Sequence, residues 1–319
     1  MGWSGTNPAS RPYDGREVME LTNIGDLVVR KSYGGDVTFR VTEMRSHQAI
    51  IKGTDFRLLA DAPLEDLIHA KDAVPSEKSQ RAYIKAQQSV QKLHQDREAQ
   101  VEQTRSRLAG DRNLAGAQSY FEVPGTVLHL DGDPAYLKKS LDLYKKLRVP
   151  AHGQYVPENA MAQALYRLLP TIQPDIVVIT GHDGVLKSRI HGDLYSLSSY
   201  KNSSNFVEAI QIARQYERNF DALTIVAGAC QSHFEALLQA GANFASSPGR
   251  VLIHALDPVY IAAKSALTSV QGTIHITDVL SHTVSGIQGV GGIETRGSYR
   301  IGLPKPQDLS KLNVVPSAI

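Results

Sequence analysis

The chain lacks several features that would assign it to a particular class. Its 319 residues contain one cysteine, Cys230, which excludes an internal disulfide framework and is typical of a reducing compartment. No apolar run approaches the roughly 18 residues that a membrane-spanning helix needs, and no secretory signal is predicted. The formal charge of +2 is too small to indicate nucleic acid or a membrane as a partner. These absences predict a cytoplasmic globular protein and leave its oligomeric state open.

Composition divides the chain into four parts. Residues 1–20 are rich in glycine, proline, serine and charge, which predicts a disordered tail. Short apolar runs separated by glycine turns predict a small SH3-like β-barrel over 21–70. The segment 71–118 is dense in charged residues and glutamine and lacks sustained apolar heptads, so it predicts a charged helical or flexible linker. Strand and helix patterns alternate over 119–319, which predicts right-handed βαβ units, a parallel sheet and therefore an α/β fold.

The last part carries the clearest secondary-structure signals. Apolar runs predict strands at 126–130, 176–180, 223–227 and 251–256. Amphipathic patterns predict helices at 134–147, 159–169, 205–218 and 232–240. We expect the strands to form one parallel sheet and the helices to pack on both of its faces.

Two of these strands lead into reactive residues. The run 175–180 continues into Gly181, His182, Asp183 and Gly184, and the run 223–227 leads to Cys230. Chemistry in an open α/β sheet lies in the crevice beyond the carboxyl ends of the strands, so an imidazole and a thiol are predicted to meet there. That pair is the basis of cysteine nucleophilic catalysis.

Neighbouring groups would complete such a site. The backbone N–H of Cys230 and one N–H from the loop that contains Gly181, Asp183 and Gly184 are predicted to hold the oxyanion. A helix that starts just after Cys230 would lower the thiol pKa through its free N–H groups. His233 lies about one helical turn further on and is a rival base, although an ordinary helix histidine is the simpler interpretation.

The motif around the thiol resembles the caspase-like cysteine peptidases, which include caspases, legumain, clostripain, gingipain and separase. Caspases have a Q-A-C-[RQG]-G signature with a histidine roughly 50 residues upstream, and His182 precedes Cys230 by about that distance. Ala229-Cys230-Gln231 matches the centre of the signature, whereas Gly228 and Ser232 depart from it. The resemblance implies a caspase-like doubly wound sheet.

Longer stretches resemble the YabG family of sporulation-specific peptidases. They are 24–33, 127–133, 179–183, 227–235, 241–248 and 291–297. This resemblance implies a cysteine endopeptidase made during sporulation that processes spore coat or cortex-associated proteins after basic residues, with arginine preferred. It places the protein in the cytoplasm of the sporulating cell, with association with the spore coat as a further expectation. Exposed Arg and Lys also predict self-cleavage in 71–118 or in the tail.

A basic residue before the cleaved bond needs a carboxylate at the base of its pocket, because a desolvated guanidinium is costly unless it is paired. Acidic residues at strand ends are the candidates for this S1 pocket: Asp257, Asp131 and Asp133. Each can equally cap a helix or turn, and Asp133, directly before Pro134, fits an N-cap best.

Three other interpretations remain open. A metal-dependent hydrolase would draw ligands from His182, Asp183, His191 and Asp193, although these lie in a glycine-rich loop without a helical ligand spacing. A response-regulator receiver shares the strand pattern, but Thr180 stands where its phosphoacceptor aspartate should be. A non-enzymatic coat scaffold would use the β-module for binding. The cysteine peptidase interpretation needs protein substrates and requires no cofactor and no metal.

Overall fold

The computed structural model describes residues 22–73, 76–110, 120–186 and 193–304. The strands are β1 Leu27–Arg30, β2 Phe39–Met44, β3 Gln48–Gly53, β4 Leu59–Pro63, β5 Leu67–His69, β6 Phe121–Val123, β7 Val127–Asp131, β8 Ala151–Tyr155, β9 Ile176–Thr180, β10 Thr224–Ala227, β11 Phe244–Ser246, β12 Thr273–Ile274, β13 Val290–Gly292, β14 Thr295–Arg296 and β15 Arg300–Gly302. The helices are α1 Glu77–Gly110, α2 Pro134–Leu147, α3 Met161–Ile172, α4 Ser203–Tyr216, α5 Phe234–Gln239, α6 Asp257–Leu267, α7 Ile276–His282 and α8 Gly286–Gly289.

The first five strands form an antiparallel sheet in the order β4-β3-β2-β1-β5, called here the N-terminal sheet. Side chains alternate along its strands, so that Phe39, Val41 and Ile51 are buried in a small core of their own. A β-structure predicted over 21–70 is therefore present as an antiparallel sheet. The tail predicted over 1–20 lies outside the described residues.

A second sheet of six strands, the central sheet, has the order β13-β11-β10-β9-β7-β8. Its five strands from β11 to β8 run parallel, and β13 pairs antiparallel with β11. Strands β9 and β10 are buried on both faces, as their apolar runs predict, and β7 is equally buried although it contains His129 and Asp131. The prediction of an α/β fold with a parallel sheet is confirmed.

Helices cover both faces of the central sheet. Alternate residues of β9 point to opposite cores: Val178 packs with α2, α6 and α7, and Val177 packs with α3, α4 and α5. Helix α2 has the predicted bounds, because Asp133 caps its N-terminus and Pro134 occupies the first helical position. The crevice at the carboxyl ends of β7, β9 and β10 lies between these two layers.

Helix α1 accounts for most of the segment predicted as a charged linker. Its 34 residues are largely polar, yet Leu93 is buried against the core that contains α6 and α7. Lys85 and Lys92 also donate hydrogen bonds to the carbonyl oxygens of Val284 and Ser281. The helical alternative is thus the one adopted, and one face of the helix is packed against the core.

The predicted strand at 251–256 is wrong. This apolar segment does not join the central sheet; only His254 makes an isolated bridge, antiparallel to Phe56 of the N-terminal sheet. The strand that follows α5 is instead β11, which the prediction missed together with the exposed edge strand β8. Asp257, predicted to lie at the end of that strand, is instead the first residue of helix α6.

Candidate active site

Three side chains follow three adjacent strands of the central sheet. In the register of the sheet Asp131 lies opposite Thr180, and Ile179 lies opposite Ala227. Counting on from these pairs places Asp133, His182 and Cys230 in one row beyond the strand ends. Neighbouring strands are about 4.8 Å apart, so this edge of the sheet concentrates a carboxylate, an imidazole and a thiol in one crevice.

The imidazole of His182 is fixed on several sides. Its Nε2 lies 2.9 Å from Oδ2 of Asp133, and its ring packs against Tyr136 at a centroid distance of 5.8 Å. The backbone N–H of His182 donates to Oε1 of Glu158 at 2.8 Å, and its carbonyl accepts from the side chain of Asn202. Sequence reasoning did not find Glu158, which is distant in the chain and reaches the loop across Gly132 and Gly181, where no side chain would fit.

Asp133 combines structural and electrostatic roles. Its Oδ1 accepts hydrogen bonds from the backbone N–H groups of Ala135 and Tyr136, as an N-cap does. Its Oδ2 is 2.8 Å from Nζ of Lys52 and also contacts His182. Burial opposes ionisation, but the hydrogen bonds and charges of His182 and Lys52 outweigh it and hold the pKa of Asp133 well below its usual value. The carboxylate is therefore anionic and orients the imidazole.

Replacing Asp133 by asparagine is expected to lower the free energy of unfolding at pH 7 by about 1–3 kcal/mol. Asparagine keeps the N-cap but loses the charge that pairs with Lys52 and His182. Because the folded-state pKa of Asp133 is lowered, its contribution is complete well above the ordinary value of 3.8 and is lost as the pH falls. Urea unfolding at pH 7 and pH 3 measures both effects.

The exposed Asp142 on the same helix provides the control, since Asp142→Asn is expected to change stability by less than about 0.5 kcal/mol. A difference between Asp133→Asn and the unaltered chain that is equal at both pH values would contradict the assigned pairing.

Asp183 ties the histidine loop to the cysteine loop. Its carboxylate is partly buried and accepts hydrogen bonds from the hydroxyls of Ser203 and Ser232 and from the backbone N–H groups of Asn202 and Gly184. Burial raises the pKa of Asp183, and these hydrogen bonds only partly oppose that effect. Since Ser232 is two residues after Cys230, this carboxylate holds both reactive loops and the start of α4 together.

The backbone before the thiol makes a tight turn. Gly228 has a φ of +106°, and a side chain there would collide with Leu237. The thiol of Cys230 is 2% exposed and accepts a hydrogen bond from the Ile253 backbone N–H at 3.2 Å. Among the described residues, its hydrogen-bond partners are the backbone groups of Ile253, and His182 is not one of them.

The expected lowering of the thiol pKa is wrong for this arrangement. Burial raises the pKa of Cys230 to about 12, although the hydrogen bond from the Ile253 backbone N–H and the charge of Arg57 oppose this rise. The helix expected to start at 232 is a short one that starts at Phe234 and is capped by His233. It begins four residues after Cys230. With its pKa raised by burial, the thiol is neutral here.

Three backbone N–H groups of the two reactive loops have no acceptor among the described residues: those of Gly181, Asp183 and Cys230. The N–H of His182 donates to Glu158, and the N–H of Gly184 donates to the Asp183 carboxylate. The N–H groups of Cys230 and of Asp183, the residue that follows the histidine, have the composition of an oxyanion hole.

Comparison with known proteins identifies the family. Residues 23–304 match the family model described as YabG peptidase U57. The chain belongs to the YabG peptidase family. It is 45% identical over 286 residues to a protein of Bacillus subtilis (strain 168) named sporulation-specific protease YabG, covering 88% of this chain and 97% of that protein. No solved structure matches the chain.

In this YabG-family chain the three candidate S1 carboxylates have different partners. Both oxygens of Asp257 accept backbone N–H groups, from Val284 at 2.7 Å and Ser285 at 3.1 Å. The Asp133 carboxylate already accepts hydrogen bonds from the N-terminus of α2 and pairs with Lys52 and His182. Asp131 is fully buried and forms a bidentate ion pair with Arg57 of the N-terminal sheet. Only Asp131 therefore already binds a guanidinium.

The remaining candidates have structural partners. His233 is buried, and its ring contacts the Tyr195 carbonyl at 2.8 Å and caps α5, so it is not directed at the thiol. The described part of the chain contains no group of three His, Cys, Asp or Glu side chains placed to hold a metal ion. His191, one of the proposed ligands, lies outside the described residues. In the same part of this YabG-family chain, every helix is too short or too polar to cross a bilayer.

Proposed function

We propose that this chain is a cysteine endopeptidase of sporulation that cuts proteins after basic residues, with arginine preferred. The observation that carries the proposal is the row of Asp133, His182 and Cys230 at the ends of three adjacent parallel strands. His182 is already oriented by Asp133 at 2.9 Å. Membership in a peptidase family and the similarity to a sporulation-specific protease support it.

In the proposed reaction Cys230 gives its proton to His182 and attacks the scissile carbonyl carbon as a thiolate. The imidazolium, paired with the Asp133 carboxylate, returns the proton to the leaving amine as the C–N bond breaks. Water then hydrolyses the thioester and frees the thiol. The thiol is neutral and bonded to Ile253 here, so it must turn from that contact toward His182 before it reacts.

The oxyanion of the tetrahedral intermediate would be held by the backbone N–H groups of Cys230 and Asp183. Both lack acceptors among the described residues, whereas the N–H of Gly184 is bonded to the Asp183 side chain. The departure of this loop from the His-Gly pattern of caspases thus assigns the second donor to Asp183 instead of Gly184. Two preorganised donors stabilise an oxyanion by several kcal/mol in comparable sites.

The finer fold and biological assignments belong to the same proposal. The parallel strand order and the paired reactive loops support a caspase-like sheet in residues 119–319, and the five antiparallel strands support an SH3-like barrel in 21–70. Spore coat or cortex-associated proteins would be the substrates. Self-processing would occur in 71–118 or 1–20. A peptidase binds extended chain, so positions outside helix α1 are favoured.

Product mapping with class-selective inhibitors tests this function. We expect mass spectrometry of an arginine-containing protein incubated with the chain to show cuts after arginine. Iodoacetamide should abolish these cuts, and because the chain has one cysteine, the added mass assigns the loss to Cys230. A metal chelator should leave the cuts unchanged. Cuts that survive complete alkylation but stop with the chelator would overturn the proposal in favour of a metal-dependent hydrolase.

A further inference from the structure

A peptide segment of the chain itself occupies the crevice. The turn between β3 and β4, residues 54–58, extends from the N-terminal sheet to the segment that follows the thiol loop. Ala255 donates its N–H to the Asp55 carbonyl at 2.7 Å, and Arg57 donates its N–H to the Ile253 carbonyl at 3.2 Å. These bonds flank the antiparallel bridge between Phe56 and His254. The β3–β4 turn therefore pairs with residues 253–255 as an added strand would.

The side chain of Arg57 fills a pocket built for a guanidinium. Its Nη1 and Nη2 donate to the two oxygens of Asp131 at 3.1 and 2.8 Å, and its Nε donates to the Ala255 carbonyl at 3.3 Å. The guanidinium lies 5.0 Å from the centroid of the Tyr136 ring. Fork-like pairing, a third acceptor and an aromatic wall select arginine over lysine. Both charged side chains are completely buried.

The main chain of the same residue lies at the thiol. The carbonyl of Ile253 accepts the Arg57 N–H, and the N–H of Ile253 donates to the Cys230 sulfur. The same carbonyl of Ile253 lies 3.9 Å from the Cys230 sulfur, so the Arg57 N–H and the thiol meet at one backbone group. A residue with its main chain at the nucleophile and its side chain in the specificity pocket occupies the position of the residue before a scissile bond.

We infer that Asp131, with Tyr136 and the Ala255 carbonyl, forms the S1 subsite for an arginine side chain, and that Arg57 fills this subsite in place of substrate. The inference rests on the proposed function and adds its specificity residue. The β3–β4 turn must leave before an extended substrate can pair with residues 253–255. An incoming arginine restores the pairing of Asp131, so exchange costs less than removal of Arg57 alone.

Further contacts hold the β3–β4 turn in place. The hydroxyl of Tyr136 lies 2.7 Å from the carbonyl oxygens of both Gly53 and Phe56, and Lys52 pairs with Asp133 at the base of the turn. A cleft of about 400 Å³ borders the other side of the turn. The turn thus covers the thiol, which explains why Cys230 is both buried and neutral in this structure.

The test measures access to the thiol and binding of a guanidinium. In Arg57→Gln we expect iodoacetamide to modify Cys230 at least about tenfold faster than in the unaltered chain, which corresponds to ~1.4 kcal/mol. Agmatine, a guanidinium on an alkyl chain, should slow that modification and raise the melting temperature of Arg57→Gln only. Cadaverine, which carries amines instead, should have a much smaller effect. Arg30→Gln breaks the Arg30–Asp66 pair within the N-terminal sheet and is the matched control with an unchanged rate.

A folded Arg57→Gln chain with an unchanged modification rate and no response to agmatine would overturn the inference. If Arg57→Gln does not fold, the double variant Arg57→Gln with Asp131→Asn leaves no charge unpaired. It should show the faster modification without the agmatine effect, and a slow rate there would equally overturn the inference.

Cleavage assays separate this inference from the proposed function. Arginine preference that survives Asp131→Asn, in a chain whose cutting still depends on Cys230, would remove Asp131 as the S1 carboxylate and leave the cysteine mechanism standing. The opposite pattern, agmatine binding and an exposed thiol without any thiol-dependent cleavage, would instead contradict the proposed function.

Discussion

A Cys230→Ala chain is expected to lose cleavage after arginine by a factor of about 10⁴ or more in kcat/KM. Without a sulfur nucleophile, the oxyanion donors and the substrate pocket can only orient the bond. His182→Ala should lose about 10² to 10⁴, because it removes the general base while the thiol remains. Initial rates of product formation, followed by mass spectrometry on one protein substrate, give both values.

His233→Asn is the matched control for this series. It also alters a buried histidine close to Cys230, but that imidazole contacts the Tyr195 carbonyl and caps α5, a position at which asparagine is a good substitute. We expect its kcat/KM to stay within about threefold of the unaltered chain. A loss as large as that of His182→Ala would mean that the base has been assigned to the wrong histidine.

Asp131→Ala is expected to lower the free energy of unfolding by about 3–5 kcal/mol. The substitution leaves the Arg57 guanidinium fully buried without its carboxylate. Burial would raise the pKa of Asp131, but the charge of Arg57 outweighs it and holds this pKa well below its usual range. The contribution is therefore present at neutral pH and is lost as the pH falls below the ordinary carboxyl pKa. Urea denaturation at pH 7 measures the loss.

A double-mutant cycle separates the energy of the ion pair from the cost of the cavity that a truncated side chain leaves. Replacing both partners, as in Arg57→Met with Asp131→Leu, removes the unpaired charge and should cost less than either single change. As a control, Glu43→Ala breaks an exposed ion pair with Arg45 at the end of β2 in the N-terminal sheet. It should cost at most about 1 kcal/mol. A loss below about 1 kcal/mol for Asp131→Ala would show that the β3–β4 turn is not docked in solution.

Capping residues, prolines and apolar runs predicted the elements whose bounds depend on residues close in the chain. The bounds of α2 follow from a capping aspartate, a proline at the first position and an apolar stripe. Strands β9 and β10 follow from apolar runs that need burial on both faces. The positions of His182 and Cys230 at one sheet edge then follow from the parallel topology alone.

Long-range pairing is the part that the sequence did not reveal. Residues 251–256 have the composition of a strand, but the segment turns at 255–256 and pairs with the β3–β4 turn instead of the central sheet. The sequence around Arg57 does not distinguish it from the exposed arginines of the chain, and only the fold brings it to Asp131. The prediction of a lowered thiol pKa is wrong for the same reason, because the fold buries Cys230 and the helix begins only at Phe234.

Helix α1 has a consequence for any molecule that competes with the β3–β4 turn. The N-terminal sheet is followed after a few residues by this helix, which is anchored to the core by Leu93 and by lysines bonded to the segment near α7. A displaced turn therefore stays tethered near the crevice, at an effective concentration on the order of millimolar. Free arginine would compete poorly against such a neighbour. A protein segment that also pairs along 253–255 makes enough contacts to displace the turn. The tether would therefore favour long substrates over short ones.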